Sequence, residues 1–158
     1  MHRDAVTVKS AETDSPDAST DAVLNVGDPV LTDVGLNGVS FEVTANITTA
    51  RQSGTVDFLT FHDFRINGVS VNVEEYRHSF SFRKNETIKL PAPAKIFLPT
   101  TQLLHGAWRE MRESKKRWTV TGRVFVFGRF RRFGFNHRRV IPIDISLTIT
   151  NPLSDPPT

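Results

Sequence analysis

Apolar and polar residues alternate along most of the chain, which is the period of a β-strand with one buried face. The alternation is regular over residues 39–47, 118–126 and 140–149, where almost every second side chain is apolar. The pairs Asn37-Gly38 and Asn67-Gly68 are strong signals for tight turns between such segments. The pattern therefore predicts short strands that are joined as antiparallel hairpins.

Further strands are predicted over residues 30–36, 55–66 and 69–73, while residues 79–82 and 87–90 are expected to pair with each other around a polar turn. One face of each strand should turn toward the core. The residues expected on these inward faces are Val39, Phe41, Val43, Ala45, Ile47, Val69, Val71, Val73, Trp118, Val120, Val124, Val126, Ile141, Ile143, Ile145, Leu147 and Ile149.

Helical spacing occurs once, after Pro99, where a threonine hydroxyl can cap the free amides of a first turn. We predict one short helix from about Thr101 to Glu113, before the last two strands. Many short strands with a single helix indicate an all-β fold, an antiparallel β-sandwich. The apolar stripe of the helix, at spacings of three and four, contains Leu103, Leu104, Ala107, Trp108 and Met111.

Length and composition fit one soluble domain: the chain has 158 residues, of which 38% are hydrophobic and 23% charged. Residues 10–22 are small, polar and acidic, and cannot bury enough apolar surface to offset the entropy of ordering them. We predict a flexible acidic tail over residues 1–22, a folded domain over residues 23–150 and a flexible tail over residues 151–158. A cytoplasmic location is expected, because neither a signal peptide nor a membrane-spanning segment is recognisable.

Several short motifs follow one another over residues 23–150. A strand of the V-x-x-V-x-L kind at residues 30–36 precedes an F-x-V strand at residues 41–47 and an Asn-Gly hairpin at residues 65–69. An apolar-Pro run then leads to the predicted helix, and W-x-V-x-G (Trp118 to Gly122) and I-P-I (Ile141 to Ile143) follow. In this order the motifs resemble the type 2 late embryogenesis abundant proteins, also called the water-stress-and-hypersensitive-response (WHy) domain.

The resemblance has one departure, because the family usually carries Asn-Pro after the second strand, whereas Ile47 follows Asn46 here. The chain would thus be a divergent member. The resemblance implies an immunoglobulin-like sandwich with a helix at one end and no catalytic residues. It also implies a role in protection against stress or desiccation, in some branches through contact with membranes or lipids.

No constellation for catalysis or for a metal or cofactor is recognisable. Cysteine is absent, which excludes thiolate nucleophiles and thiolate metal sites. His62 and Asp63 are adjacent, and neighbours on a strand point to opposite faces, so they cannot act as a dyad. His78, His105 and His137 stand alone, and no glycine-rich phosphate loop follows a strand. We predict that the protein is not an enzyme and uses no metal or cofactor.

Positive charge is concentrated late in the chain. The net charge is +3, but residues 109–139 contain eleven Lys or Arg against Glu110 and Glu113. Residues 123–140 read RVFVFGRFRRFGFNHRRV, with no acid between Gly128 and Arg139. We predict that residues 128–139 are the turn region of the last hairpin. Such a cluster points toward polyanions or anionic membrane surfaces.

Three interpretations of this basic hairpin remain open. Arginine and phenylalanine together suit an anionic membrane surface or lipid, and they also suit the phosphates and bases of a nucleic acid. The third interpretation is a solvated loop without a binding role. The candidate binding residues are Arg129, Arg131, Arg132, Arg138, Arg139, Phe130 and Phe133, with Phe135 as a further aromatic.

A splayed end of the sandwich would offer a different site, a groove for an acyl chain, although an aromatic-rich core is the simpler interpretation. We favour a non-enzymatic, monomeric stress-protective module that contacts membrane surfaces or other macromolecules through the basic hairpin. A nucleic-acid-binding protein and a small lipid carrier are the alternatives. The expected lining of the carrier's groove is Phe58, Phe61, Phe64, Phe80, Phe82 and Phe97.

Overall fold

Antiparallel strands make up the described part of the protein. The structure is a computed structural model that describes residues 4–8, 22–49, 52–101, 109, 116–132 and 134–153. The strands are β1 (Asp4–Val8), β2 (Ala22–Val26), β3 (Val30–Val34), β4 (Gly38–Val43), β5 (Ala45–Thr49), β6 (Ser53–Ile66), β7 (Val69–Ser70), β8 (Asn72–Val73), β9 (Phe80–Phe82), β10 (Thr87–Lys89), β11 (Ala94–Pro99), β12 (Arg117–Arg132) and β13 (Phe135–Thr150).

Two four-stranded sheets continue one another as a single layer. Their strand orders are β1-β2-β5-β10 and β3-β4-β11-β8, and β4 runs into β5 through Thr44. The Gly27 amide donates to the Thr44 carbonyl at 2.9 Å, and the Leu90 amide donates to the Ala45 carbonyl at 2.9 Å. These two hydrogen bonds continue the backbone pairing on either side of Thr44, where β4 passes into β5. The strand predicted over residues 39–47 is therefore present, interrupted at Thr44.

The opposite layer is a sheet in which the hairpin of β12 and β13 is the largest part. Its order is β13-β12-β6-β7, with β9 also paired to β6. β12 pairs with β13 from Arg117, opposite Thr150, to Arg132, opposite Phe135. On its other side β12 pairs with β6, so it has a neighbour on both edges. β13 is an edge strand of this layer.

The inward faces of the two layers meet in one apolar core. Trp118 on β12 has no exposed surface, and Phe41 on β4 is 1% exposed. Their rings pack edge to face with 6.0 Å between centroids. Burial of side chains of this size contributes about 1.5–3 kcal/mol each. The described residues thus confirm an all-β fold of antiparallel sheets in a sandwich-like arrangement, with the inward face predicted for residues 118–126.

Local turn chemistry was predicted correctly at the end of β6. Asn67 and Gly68 have φ angles of 50° and 83°, as the two central residues of a type I′ turn require. The Asn67 amide donates to the Thr119 carbonyl at 2.9 Å, and the Thr119 amide donates to Asn67 Oδ1 at 3.0 Å. The turn is therefore fixed to the start of β12 as well as to its own hairpin.

Two segments pair differently from the sequence prediction. Residues 79–82 and 87–90 do not pair with each other, because β9 pairs with β6 in one layer and β10 pairs with β5 in the other. The strand predicted over residues 69–73 also divides, since β7 pairs with β6 and β8 pairs with β11. Alternation defines the two faces of a strand, and it carries no information about the layer in which the strand finds its partner.

The predicted helix lies almost entirely outside the described residues. Of residues 101–113 the structure describes only Thr101, in a turn, and Arg109, in helical conformation. In the described part of the chain there is no helix long and apolar enough to cross a membrane.

Parts of both predicted tails take part in the described structure. β1, within residues 1–22, pairs with β2 along its whole length. Asn151, just after β13, is 2% exposed, and its amide donates to the Lys116 carbonyl at 2.9 Å. Pro152 and Leu153, which follow Asn151, are half-buried.

Candidate functional site

The basic segment is the end of a long hairpin, so the prediction of a turn region over residues 128–139 is wrong. β12 continues to Arg132 and β13 begins at Phe135, which leaves a connection of two residues. Gly134 in this connection has a φ of 81°, the left-handed conformation that short hairpin connections need. The alternation of Arg and Phe in the sequence is the continued period of a strand.

Three of the candidate arginines lie on the outer face of this hairpin end. Arg129 is directly opposite Arg138, and Arg131 is directly opposite Asn136. Residues opposite each other in an antiparallel pair share a face, and all four of these residues are exposed. Among the described residues, no acid forms a salt bridge with Arg129, Arg131 or Arg138. We call these three residues the arginine cluster.

A fourth arginine on the same face has a different environment. Arg123, six residues before Arg129, is opposite Asp144. Its Nε donates to Asp144 Oδ1 at 2.7 Å, and its Nη2 donates to Asp144 Oδ2 at 3.3 Å. The hydrogen bond to Asp144, together with its charge, raises the pKa of the Arg123 guanidinium. The outer face thus contains one neutralised arginine and, about 20 Å further along β12, an arginine opposed by another arginine.

The remaining candidate residues are divided between the core and the hairpin tip. Phe130 is 5% exposed, with its ring 6.0 Å from that of Phe82, so it belongs to the core. Arg139 is exposed and opposite Gly128, on the inward side of β13, and Arg132 is opposite Phe135. Phe133 lies outside the described residues.

Phe135 is the exposed aromatic of the tip, with 68% of its surface accessible. Val140, further along β13, is 46% exposed on the outer face opposite Phe127. Phe127 itself stacks on Phe58 with 4.3 Å between ring centroids and 15° between planes. Apolar surface therefore accompanies the arginine cluster along the outer face and at the tip.

Strand pairing brings two further cations to this end of the layer. β9 and β12 both end beside the start of β6. Arg83 and Lys84, which directly follow β9, are exposed there, together with Glu86 in the same turn. Their position could not be predicted from the sequence, because they precede Arg131 by 48 and 47 residues and the pairing of β9 with β6 is what brings them near it.

A cavity of about 210 Å³ lies between the two layers. Its described lining is apolar except for Thr49 and Tyr76, whose hydroxyl groups are both satisfied. Thr49 Oγ1 donates to the Gln52 carbonyl at 2.8 Å, while the Tyr76 hydroxyl donates to the Ala92 carbonyl at 2.7 Å and accepts from the Ala92 amide at 2.9 Å. Burial raises the pKa of Tyr76.

The groove predicted from the phenylalanines corresponds to this cavity in part. Phe61, Phe64, Phe80 and Phe82 line it, together with aliphatic residues of β13 that were predicted only as core. Phe58 lies on the outer face, stacked on Phe127, and Phe97 is also absent from the lining. Alternation could have placed Phe58 on the opposite face from Phe61, because the two are an odd number of residues apart.

The described histidines and acids form no recognisable metal site: no group of three or more is placed to hold an ion. His62 Nε2 lies 3.0 Å from Thr60 Oγ1, and the His78 ring packs edge to face on Tyr76 with 5.3 Å between centroids. His137 is exposed on β13, opposite Phe130. His105 lies outside the described residues.

Comparison with known proteins gives little similarity. No family model matches the chain, and no curated protein matches it. A crystal structure of a protein from Archaeoglobus fulgidus is similar with a TM-score of 0.39 and 12% identity, over 79% of this chain and 94% of that one. A similarity of this size carries no argument about function.

Proposed function

We propose that the protein is a non-enzymatic, stress-protective binding module of the type 2 late embryogenesis abundant kind, which contacts anionic membrane surfaces through the end of the β12–β13 hairpin. The proposal includes an immunoglobulin-like sandwich with the short helix predicted over residues 101–113, a monomeric state and a cytoplasmic location. The observation that carries it is the arginine cluster, in which Arg129 opposes Arg138 while Arg123 on the same face is neutralised by Asp144.

Attraction of the arginine cluster to an anionic membrane would outweigh the cost of the opposed arginines to the fold. Like charges directly opposite on paired strands destabilise the pair by about 0.2–1 kcal/mol. Near an anionic membrane surface each Lys or Arg contributes about 1 kcal/mol of attraction. The three residues of the arginine cluster would together contribute about 3 kcal/mol, which exceeds the cost of placing Arg129 against Arg138.

Apolar surface at the tip supports a membrane rather than a purely electrostatic partner. Phe135 is 68% exposed beside the basic strands, and an aromatic ring in this position can enter the boundary between headgroups and acyl chains. The expected contact is shallow and reversible, and salt weakens its electrostatic part.

The nucleic-acid alternative is less well supported by the same geometry. Binding of single strands uses aromatic rings on which successive bases stack. Phe130, the candidate nearest the centre of the arginine cluster, is buried against Phe82 and offers no such platform. The stack of Phe58 and Phe127 also covers one face of each ring.

Co-sedimentation with vesicles tests the proposal, using neutral vesicles and vesicles with anionic lipid. The matched variants are Arg129→Gln and Arg123→Gln, which make the same change on the same face of β12. We expect Arg129→Gln to weaken binding to anionic vesicles about fivefold, and Arg123→Gln to have a smaller effect, because its site lies more than one Debye length from the cluster.

Two results with vesicles would count against the proposal: no preference for anionic vesicles, or equal effects of the two variants. A third would be that Arg129→Gln weakens binding to a single-stranded oligonucleotide but leaves binding to vesicles unchanged. The protective role has its own measurement, the retention of a dye inside anionic vesicles through drying and rehydration. Wild-type protein should retain more dye than Arg129→Gln, and equal retention would remove the link between the cluster and protection.

A further inference from the structure

We propose that the outer edge of β3 binds an extended segment of a partner protein by strand addition, and that this segment alternates apolar residues with lysine or arginine. The added strand would extend the layer in line with β1, which pairs along β2 and ends opposite Val26. β3 belongs to the layer opposite the arginine cluster. The proposal goes beyond the membrane contact and does not depend on it.

The outer edge of β3 lacks protection that several other end strands have. An end strand presents a row of backbone N–H and C=O groups to any further strand, and proteins limit such pairing by short length or by charge. β7, β8 and β10 have only two or three residues, and the exposed stretch of β13 contains Arg138 and Arg139. β3 has five residues, all exposed, of which only Asp33 is charged. Its edge is therefore open to pairing.

Apolar side chains accompany this edge on the inward face of the layer. Leu31 and Val34 are opposite Phe41 and Val39, which are each 1% exposed in the core. Opposite residues share a face, yet Leu31 and Val34 are themselves 39% and 62% exposed. A strand beside β3 with apolar residues on this face would cover both side chains and continue the core.

A β-bulge sets the length of the added strand. Thr32 has no opposite residue on β4, since Leu31 is opposite Phe41 and Asp33 is opposite Ser40. Such a bulge bends the strand and increases its twist. We therefore expect the paired part of the partner segment to be as short as the five residues of β3.

The outer face beside β3 is acidic. A depression of about 500 Å³ begins at Asp33 and continues across the sheet, and its charged lining consists of Asp33, Glu42, Glu74 and Lys95. The chain around this edge adds no base, because residues 10–50 contain seven acids and no Lys or Arg. A positively charged side chain on the outer face of the added strand would lie over Asp33 and point toward Glu42.

Charge disfavours a second copy of β3 as the occupant of this edge. A second β3 would bring another Asp33 to an edge that is already acidic, and like charges across paired strands oppose pairing. The complementary segment is basic on its outer face and apolar on its inward face.

The first test titrates the protein into a fluorescent peptide, KVTVKVTV, blocked at both ends, and follows the anisotropy without vesicles. In the extended peptide the valines share one face, and the lysines and threonines share the other. We expect saturable binding of one peptide per protein, and about tenfold weaker binding of EVTVEVTV, which has the same apolar face. The absence of saturable binding, or equal binding of the two peptides, would overturn the proposal.

Methylated peptides test whether the contact is strand addition. The backbone N–H groups of alternate residues point to the same edge of a strand. N-methylation of every odd residue of KVTVKVTV removes the donors of one edge, and N-methylation of every even residue removes those of the other. One methylated peptide should lose binding and the other should keep it, whereas equal behaviour of the two would contradict pairing with β3.

Charge reversal at Asp33 tests where the peptide lies. Asp33→Lys should make EVTVEVTV bind more tightly than KVTVKVTV. The matched control is Glu74→Lys beside β8, three strands away and about 14 Å from β3, which should keep the preference for KVTVKVTV because the distance exceeds a Debye length. Both residues are exposed, so both variants are expected to fold. An unchanged preference in Asp33→Lys, or the same shift in both variants, would contradict the proposed contact.

Hydrogen exchange shows which backbone groups the peptide covers. Bound KVTVKVTV should slow amide exchange within residues 30–34 and leave residues 129–138 unchanged. Slower exchange only outside β3 would overturn the proposal, and so would self-association of the free protein that the peptide disperses, because a second copy would then be the occupant. Since the assays contain no membrane, failure of the membrane proposal leaves these outcomes unaffected.

Discussion

Replacement of Arg138 by glutamate is expected to stabilise the fold and weaken the membrane contact. The substitution places a carboxylate directly opposite Arg129, in the arrangement that Asp144 already has opposite Arg123. It also lowers the net charge of +3 by two units. Most substitutions in a folded protein are destabilising, so a gain of stability at this position would be a specific sign of the opposed arginines.

The two expected effects have different sizes. Opposite charges across a strand pair contribute about 0.2–1 kcal/mol, and like charges cost a similar amount. Because Arg129 and Arg138 are exposed, the lower part of the combined range applies, and we expect a gain of about 0.5–1 kcal/mol. Two units of charge near an anionic surface correspond to about 2 kcal/mol, or roughly thirtyfold in affinity.

Urea unfolding followed by tryptophan fluorescence measures the first effect, since Trp118 is fully buried, and vesicle co-sedimentation measures the second. The matched control is Arg123→Glu, which makes the same charge change on the same face but sets a carboxylate against Asp144. It should destabilise the fold and reduce binding less. A lower urea midpoint for Arg138→Glu would refute the opposed-arginine geometry, and equal loss of binding in both variants would refute the role of the hairpin end.

Three further predictions concern the core. Burial raises the pKa of Tyr76, so above about pH 10 this tyrosine is deprotonated more readily in the unfolded chain, and the free energy of unfolding should fall as the pH rises. Tyrosinate absorbance reports this residue alone, since the chain has one tyrosine. A constant free energy of unfolding above that pH would contradict the reasoning. Gly122→Ala brings a Cβ to 2.4 Å from Cδ1 of Phe64 and should lower the free energy of unfolding in urea by about 1–3 kcal/mol. Addition of Phe64→Leu should restore part of this loss, whereas no loss in Gly122→Ala would mean that the Phe64 ring moves aside freely. Phe41→Ala should cost about 3–5 kcal/mol, and a loss below 1 kcal/mol would show that its contact with Trp118 is not part of a packed core.

Patterns within one segment were sufficient to predict the parts of the fold that depend on local chemistry. The alternation of apolar and polar residues over residues 118–126 correctly predicted the buried face that includes Trp118, because the two faces of a strand differ in solvent exposure. The Asn67-Gly68 pair gave its turn, because both residues must take positive φ. The inward face and the turn each depend on residues that are close together in the sequence.

Features that depend on a distant partner could not be predicted in this way. β9 and β10 are near neighbours in the chain, yet they pair into opposite layers, and nothing in either segment specifies β6 or β5 as its partner. The same limit applies to the candidate site. The density of charge suggested a loop, but the pairing with β6 extends β12 to its end and divides the segment into an outer arginine face and an inward face with Phe130.

The cavity between the layers also has a consequence under hydrostatic pressure. A void of 210 Å³ per molecule corresponds to about 130 mL/mol, which is an upper bound on the volume that unfolding could eliminate there. Pressure favours the state of smaller volume, so the empty protein should unfold at lower pressure than a domain with a filled interior. An occupant that fills the space would remove much of this difference, and its presence would be measurable as a higher unfolding pressure.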